Sequence, residues 1–184
     1  MEIVQLNSKM KLSEHFTLGE LTRSGSHPEV YNIPSHEAIA NLKRLCGWLE
    51  VLRERYNDRY VVVKRDISTT LDMTTPSLSS RPSVARGEIS EEPIRINSGY
   101  RSPQLNKKIG GVATSNHLTG CAADIRVLGM EQLIRYATIL LDYADESKQE
   151  FDELLIERNR YGAIWLHFAV RPRDNRRKIA FINA

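Results

Sequence analysis

Two histidines and one aspartate in this sequence have the side-chain types that could hold a catalytic metal ion. His117 and Asp124 lie on either side of Gly120, and His167 lies much further along the chain. A catalytic zinc ion takes three protein ligands through nitrogen or oxygen and keeps a fourth position for water. The three side chains are therefore candidate zinc ligands. Taken singly, each also has a structural interpretation. His117 could cap a turn, Asp124 could be a solvent-facing strand carboxylate, and His167 could be a structural histidine of a strand.

A ten-residue pattern strengthens the case for a metal. Residues 115–124 read Ser-x-His-x-x-Gly-x-Ala-x-Asp; they follow Ser-Gly-Tyr-Arg-Ser at 98–102, and Trp-x-His stands at 165–167. This combination resembles the M15 family of zinc D-Ala-D-Ala carboxypeptidases and peptidoglycan endopeptidases. The resemblance covers roughly residues 12–57 and 94–171 and is much more specific than a single His-x-His would be.

The resemblance implies a fold, a cofactor and a substrate. The fold would be α+β, with an antiparallel sheet flanked by helices as in the Hedgehog and DD-peptidase proteins. Zn²⁺ would be held by His117, Asp124 and His167, and the partner would be the stem peptide of bacterial peptidoglycan. A D-Ala-D-Ala carboxypeptidase and an L-Ala-D-Glu-type endopeptidase are both compatible with the motif.

The general base departs from the family pattern. Many members carry Glu-x-x-His at the third ligand, whereas this sequence has Ile164 three residues before His167. Glu157 is the best substitute, since Hedgehog proteins place a peptidase-like glutamate at the corresponding point, and Glu153 is a weaker alternative. A simple six-residue loop at 158–163 would pair Glu157 with Ile164, on the side of the sheet that faces away from the third ligand. A bulge or a one-residue register shift would reverse that orientation.

Three further residues are candidates for contact with the substrate. Arg101 has a planar guanidinium that can bind a carboxylate through two hydrogen bonds, and in the resembled peptidases the corresponding arginine holds substrate or stabilises the oxyanion. Its alternative role is a buried arginine that ties loop carbonyls together. Ser115 could donate to a substrate carboxylate or serve as a turn residue. Trp165 could form a wall of the cleft or simply pack.

Helical and alternating patterns predict the elements that position these residues. The predicted helices span about 18–24, 36–57, 103–109 and 130–143. The predicted strands span about 94–97, 121–127, 151–157 and 164–170, the last two as a hairpin, and 60–64 can also form a strand. On the last strand of the hairpin, alternation puts Trp165, His167 and Ala169 on one face and leaves the aliphatic face for the core.

Length and composition predict one domain. The chain has 184 residues, 41% of them hydrophobic, which is enough for one substantial core and too little to suggest two. We expect a single M15-like domain over residues 1–184. Residues 65–92 are rich in Ser, Thr, Pro and Arg without a sustained period, so they predict a surface insertion or a poorly ordered loop. The family typically has a shorter connection at this point.

Charge and cysteine content are only mildly informative. The net charge of +3 does not by itself predict a nucleic-acid partner, and none is expected. The basic run 171–178 is interpreted as a solvated tail, with attraction to an anionic wall polymer or to nucleic acid as the alternative. Cys46 and Cys121 form no metal-binding pattern and are expected to be buried.

The sequence shows no targeting or membrane-spanning segment. No apolar run approaches the ~20 residues needed to cross a bilayer, so no membrane span is expected. The first residues lack the apolar central region of a secretory signal. We therefore expect a cytoplasmic product, or one released by a phage-type route to act on the cell wall, or an exported protein whose leader has been trimmed.

The leading hypothesis is a zinc metallopeptidase of peptidoglycan, of the carboxypeptidase or endolysin type. In that hypothesis Glu157 moves the proton and Arg101 anchors or stabilises the anionic part of the substrate. The missing Glu-x-x-His supports an alternative, a zinc-stabilised cell-wall-binding or phage structural protein without turnover. A nucleic-acid-binding domain that uses residues 171–178 is a third hypothesis. The sequence predicts no particular oligomeric state.

Overall fold

The computed structural model describes residues 8–61 and 91–183, and within these ranges the chain has an α+β architecture, as predicted. The helices are α1 (Leu18–Thr22), α2 (His36–Tyr56), α3 (Pro103–Lys108) and α4 (Met130–Ser147). The strands are β1 (Ile96–Ser98), β2 (Ala122–Arg126), β3 (Glu153–Arg158), β4 (Ile164–Ala169) and β5 (Lys178–Asn183). None of these helices is both long and apolar enough to cross a bilayer.

Side-chain caps begin three of the helices where the sequence predicts them. Thr17 and Glu20 form a reciprocal capping box at α1. Ser35 accepts a hydrogen bond from an N–H of the first turn of α2, and Ser102 caps α3 with Pro103 in its first turn. Each cap satisfies N–H groups that have no partner inside the helix. The local sequence therefore determines where these helices start.

Helices α2 and α4 pack against each other and against the central strands. Their buried side chains recur at helical spacing, as with Leu42, Leu45 and Leu49 in α2 and Leu133 and Leu140 in α4. Burying each such leucine stabilises the fold by about 2 kcal/mol. The two helices thus form the support that holds the sheet in place.

The five-stranded sheet is mixed rather than antiparallel. Its strand order is β1-β2-β4-β3-β5, and neighbouring strands are antiparallel except for β3 and β5, which run parallel. The prediction of an antiparallel sheet is therefore wrong at one edge. Strand β5 begins at Lys178, the last residue of the basic run 171–178, whose interpretation as a solvated tail left no place for a strand. Residues 171–177 return the chain past β3, so that β5 pairs with β3 in the same direction.

Two predictions concern the chain beyond α2. The predicted strand at 60–64 is wrong where the structure describes it, because Asn57–Val61 continues α2 as a π-helical turn. The Asn57 side chain donates to the Arg53 carbonyl, which supports this continuation. Residues 62–64 and all but the last two residues of the predicted insertion at 65–92 lie outside the described residues. The single-domain organisation stays a prediction.

Both cysteines are buried and free, as expected. Burial raises the pKa of the Cys46 thiol to about 12 and also raises the pKa of Cys121. A thiol acts as a nucleophile or metal ligand in its thiolate form. Neither cysteine is therefore part of the chemistry discussed below.

Alternation along the central strands divides the sheet into two faces. Ile125, Leu166 and Phe168 belong to the hydrophobic core and are fully buried. Asp124 and His167 form a register pair on the opposite face of β2 and β4. We call this second face the site face. It carries the side chains that could do chemistry, while the first face anchors the strands.

Candidate metal centre and active site

The three predicted metal ligands lie together on the site face. Asp124 and His167 are direct neighbours across β2 and β4. His117 comes from a short 3₁₀ helix, Asn116–Thr119, that leads into β2. One nitrogen of each imidazole and one oxygen of Asp124 all lie within 4.8 Å of one another. The structure therefore brings two nitrogen donors and one oxygen donor to a common point.

The backbone orients His117. Its Nδ1 lies 2.6 Å from the Gly99 carbonyl oxygen, and because a carbonyl can only accept, Nδ1 carries the hydrogen. The other nitrogen, Nε2, is left free and lies 3.2 Å from Oδ1 of Asp124. A side chain at Gly99 would place its Cβ 2.3 Å from the Leu21 carbonyl oxygen, so only glycine allows the backbone at this position to pack so closely against Leu21. The conformation of His117 is thus fixed by main-chain packing.

The 3₁₀ helix that carries His117 ends at Gly120, which has a left-handed backbone with φ of 71°. A Cβ at Gly120 would also lie 2.6 Å from the Ala38 carbonyl oxygen of α2. Glycine is the residue that adopts this conformation without strain. The glycine of the ten-residue pattern is therefore needed to turn the chain from His117 into β2.

Two carboxylates hold His167, one at each ring nitrogen. Nδ1 lies 2.9 Å from Oδ1 of Asp124, and Nε2 lies 3.6 Å from Oε2 of Glu153. Burial alone would lower the pKa of His167, but the contacts with Asp124 and Glu153 outweigh it and raise this pKa to about 9. Without a metal, the imidazole therefore carries a proton that metal binding displaces.

Asp124 presents one oxygen to the imidazoles and the other to Arg101. Its Oδ2 accepts a hydrogen bond of 2.5 Å from Nη2 of Arg101, whose Nε donates to the Ser98 hydroxyl at 2.8 Å. Burial would raise the pKa of Asp124, but His117 and His167 hold it far below its usual range. The carboxylate is thus ionised, with Oδ1 directed at the ligand cluster.

This donor set fits a catalytic zinc ion. Zinc binds imidazole nitrogen and carboxylate oxygen, and a catalytic site has three protein ligands rather than four. The second nitrogen of His117 donates to the Gly99 carbonyl, which is the usual way a protein fixes a metal-binding imidazole. The second nitrogen of His167 lies 3.6 Å from Glu153, an electrostatic contact without a hydrogen bond. A cavity of about 430 Å³ lined by Asp124 and Trp165 lies beside the cluster.

Glu157 lies on the site face together with the ligands. It pairs with Trp165 across β3 and β4, so it points to the same side as His167, two residues along β4. Of the two alternatives for this hairpin, the one-residue register shift is observed, because the turn is one residue shorter than six and comprises 159–163. The shorter turn brings Glu157 to the side of the sheet that carries His167.

Asn159 fixes the length of this turn. Its side-chain oxygen accepts hydrogen bonds of 3.0 Å from the N–H groups of both Tyr161 and Ala163. Its own N–H donates to the Ala163 carbonyl at 3.0 Å. An asparagine that bonds to backbone groups two and four residues ahead closes a compact turn. The strand pairing that carries Glu157 therefore depends on one side chain in the loop.

The two glutamates of β3 differ in their electrostatics. Burial raises the pKa of Glu157, and the charge of Asp124 adds to this effect while His167 opposes it. Contact with His167 lowers the pKa of Glu153 to about 2 despite partial burial. A general base works best with a pKa near the working pH, so Glu157 suits this role and Glu153 does not.

A buried carboxylate ties the basic run to the site. Asp152 is fully buried and accepts two hydrogen bonds from the Arg176 guanidinium, from Nε at 2.8 Å and from Nη2 at 2.7 Å. Arg171 lies 3.0 Å from the same carboxylate, and the Asn116 amide donates to it at 2.7 Å. The interpretation of residues 171–178 as a solvated tail is therefore wrong for these arginines. The Arg176 side chain is 47% exposed, but both arginines form ion pairs with the buried Asp152 carboxylate.

Glu153 connects this network to the third ligand. Its Oε2 accepts a hydrogen bond of 2.8 Å from Asn116 and faces His167. Its Oε1 lies 2.8 Å from Arg176 and 3.4 Å from Lys178 of β5. The carboxylate is thus held from one side by two cations and an amide. On its other side it lies 3.6 Å from Nε2 of His167, close enough for electrostatic attraction.

The other predicted substrate residues occupy different places. Trp165 lines the cavity that reaches Asp124, as a cleft wall would. Ser115 lines another cavity, of about 350 Å³, and its hydroxyl accepts the His117 N–H at the start of the 3₁₀ helix. Arg101 contacts Asp124 and Ser98 rather than loop carbonyls. Roles for these three residues in substrate binding stay predictions.

Sequence reasoning did not identify the supporting residues Asn116, Asp152, Arg171 and Arg176. Asn116 stands inside the ten-residue pattern, and Asp152 directly precedes Glu153. The signal that could have found them is the acidic pair 152–153 followed by a strongly basic run. Such a pair of segments favours internal ion pairing, although their sequence positions do not say which arginine reaches which carboxylate.

Comparison with known proteins points to one family. The family model described as Peptidase M15 matches residues 62–141, which contain His117 and Asp124. This match supports a peptidase M15 assignment. The M15 match ends before Glu153, Glu157 and His167, so the third ligand and the base rest on the geometry described above. No curated protein matches the chain.

Glu153→Ala is expected to weaken zinc binding by roughly 10-fold, because outer partners of ligand histidines typically contribute 10- to 100-fold to metal affinity. Glu153→Gln should lose less, since its amide oxygen can still accept from the imidazole. Competition with a chromophoric chelator measures both dissociation constants. The exposed Glu150 offers a matched Glu→Ala control that leaves affinity unchanged. Wild-type affinity in Glu153→Ala would rule out this positioning role.

Proposed function

We propose that this protein is a zinc metallopeptidase that cleaves a peptide bond in bacterial peptidoglycan, acting on the cell wall. The observation that carries the proposal is the convergence of His117, Asp124 and His167 beside an accessible cavity. The match of residues 62–141 to the Peptidase M15 family model supports it. The strand order and the buried helices support an arrangement like that of the Hedgehog and DD-peptidase proteins, which we include in the proposal.

The residues around the cluster have distinct tasks in this function. When bound, zinc polarises a carbonyl and lowers the pKa of a coordinated water to about 7. Glu157 accepts the proton of the attacking water and returns it to the leaving amine. Arg101 orients the Asp124 carboxylate through its hydrogen bond, and its Nη1, which has no hydrogen bond to the described residues, can donate to the substrate.

A second function has one observation in its favour. The position three residues before His167 is Ile164, where many M15 members carry the catalytic glutamate. A zinc-stabilised wall-binding or phage structural protein without turnover would not need a base there. Glu157 argues against this alternative, because its side of the sheet and its raised pKa suit proton transfer.

Incubation of the zinc-loaded protein with purified muropeptides tests the proposal. We expect new products by mass spectrometry: free D-Ala from a carboxypeptidase, or separated L-Ala and D-Glu fragments from an endopeptidase. Treatment with a chelator should abolish cleavage, and zinc should restore it. Stoichiometric zinc without any cleavage would favour the non-catalytic alternative.

A further inference from the structure

The cavity beside the metal ligands extends along β2 toward a cation. Its volume is about 430 Å³, and Asp124, Arg126 and Trp165 are among the residues that line it. Arg126 pairs with Trp165 across β2 and β4, so it lies on the site face with Asp124, two residues away. At about 3.3 Å per residue, their backbones are roughly 7 Å apart along the strand. A substrate bound at the cluster would therefore pass Arg126.

The Asp124 carboxylate, which lines this cavity, does not neutralise the charge of Arg126. Oδ1 of Asp124 faces the two imidazoles, and Oδ2 accepts the hydrogen bond from Arg101. Arg126 donates its backbone N–H to the Arg95 carbonyl, which holds the strand in place. Its side chain is exposed and forms no ion pair with any acidic residue in 8–61 or 91–183. The guanidinium is thus available to a ligand.

Two asparagines add further donors to the same cavity. The side-chain oxygen of Asn159 already accepts from Tyr161 and Ala163, so its NH₂ group is the part left to bind a ligand. Asn97 also lines the cavity and is exposed at the centre of β1. The guanidinium of Arg126 and the amide N–H groups are hydrogen-bond donors, and both oxygens of the neighbouring Asp124 already have partners. This environment therefore favours an anionic ligand.

We propose that Arg126, with Asn97 and Asn159, forms a carboxylate subsite of this peptidase. It selects substrates that carry a carboxylate one or two residues from the bond that is cleaved. The spacing follows from the 3.3 Å rise per residue of an extended peptide, roughly 7 Å for two residues. This inference rests on the proposed function. The carboxylate can be the C-terminus of the peptide or the free α-carboxyl of an internal D-Glu, and these two sources are distinguishable.

Two pairs of synthetic peptides test the subsite. One pair ends in D-Ala-D-Ala with a free or an amidated C-terminus, and the other contains L-Ala-D-Glu with a free or an amidated α-carboxyl. The wild-type zinc enzyme should prefer one acid over its amide by roughly 10-fold in kcat/KM, the scale of a partly exposed charged hydrogen bond. Arg126→Gln should lose that preference and cleave the amide as wild type does. The pair that shows the effect identifies the source.

A control variant and a binding measurement complete the test. Arg173→Gln removes an equally charged but highly exposed arginine (88% side-chain exposure) and should keep the wild-type preference. Calorimetry with Glu157→Gln loaded with zinc measures affinity for both peptide pairs without turnover. Arg126→Gln added to that variant should equalise acid and amide affinity. A preference that survives the loss of Arg126, or no preference in wild type, overturns the subsite. No cleavage by wild type combined with an Arg126-dependent preference in binding refutes the peptidase function alone.

Discussion

His117→Ala should remove zinc and activity together. The substitution deletes one of two nitrogen donors, and neither Asp124 nor His167 can move to replace it, because both sit in paired strands. Loss of an outer partner typically costs 10- to 100-fold in metal affinity, so loss of a ligand should cost more than ~100-fold. Metal analysis after dialysis and a chelator competition assay measure the first effect. Muropeptide cleavage measures the second.

An exposed histidine provides the matched control for this experiment. His36 lies on the surface at the start of α2, far in sequence from the cluster, and His36→Ala should keep both zinc and activity. Circular dichroism of both variants checks that each is folded. Stoichiometric zinc in folded His117→Ala would disprove the ligand assignment. Activity without zinc would disprove the metal mechanism as a whole.

Glu157→Gln should keep zinc and lower kcat by at least ~100-fold, the usual scale for loss of a general base. Glutamine preserves the size of the side chain and its place opposite Trp165 but does not take up a proton at neutral pH. Steady-state kinetics on a cleaved muropeptide, with parallel metal analysis, separates loss of turnover from loss of metal. Glu150→Gln changes an exposed glutamate of the same chain segment and should be as active as wild type. A near-normal rate in Glu157→Gln would assign the base to another group.

The pH profile gives a second readout for the same residue. A general base works in its deprotonated form, so activity falls as the pH drops through the pKa of Glu157. Burial raises this pKa above its ordinary value, which moves the acid limb of kcat/KM to a higher pH than an exposed glutamate would give. The residual kcat/KM of Glu157→Gln should therefore not fall with decreasing pH in this range. An identical acid limb in that variant would show that a different group titrates.

Local sequence determinants predict much of this site correctly. The spacing of His117, Gly120 and Asp124 specifies a turn and a strand, and glycine is required at the turn for steric reasons visible in the backbone. The alternation 164–170 predicts which face of β4 carries His167. Both features depend on a few neighbouring residues, so a single sequence suffices to predict them.

Pairings between distant segments are where prediction failed. The register of β3 on β4 depends on whether the turn has five or six residues, a difference set by two hydrogen bonds of Asn159. The parallel edge strand β5 and the contacts of Arg171 and Arg176 with Asp152 depend on the path of residues 171–177. Hydrophobic periodicity carries no information on such paths, and a basic run has the same composition whether it is solvated or paired.

The division of the sheet into two faces has a practical consequence for engineering. On β2, β3 and β4, residues of the site face alternate with residues of the core, as Asp124 and Arg126 alternate with Ile125. Specificity and thermodynamic robustness are therefore encoded in interleaved but separate positions. In the proposed peptidase, a combinatorial library restricted to exposed site-face positions such as Arg126, and excluding Glu157 and the candidate ligands, can diversify the preferred cleavage sequence while the folded scaffold is retained.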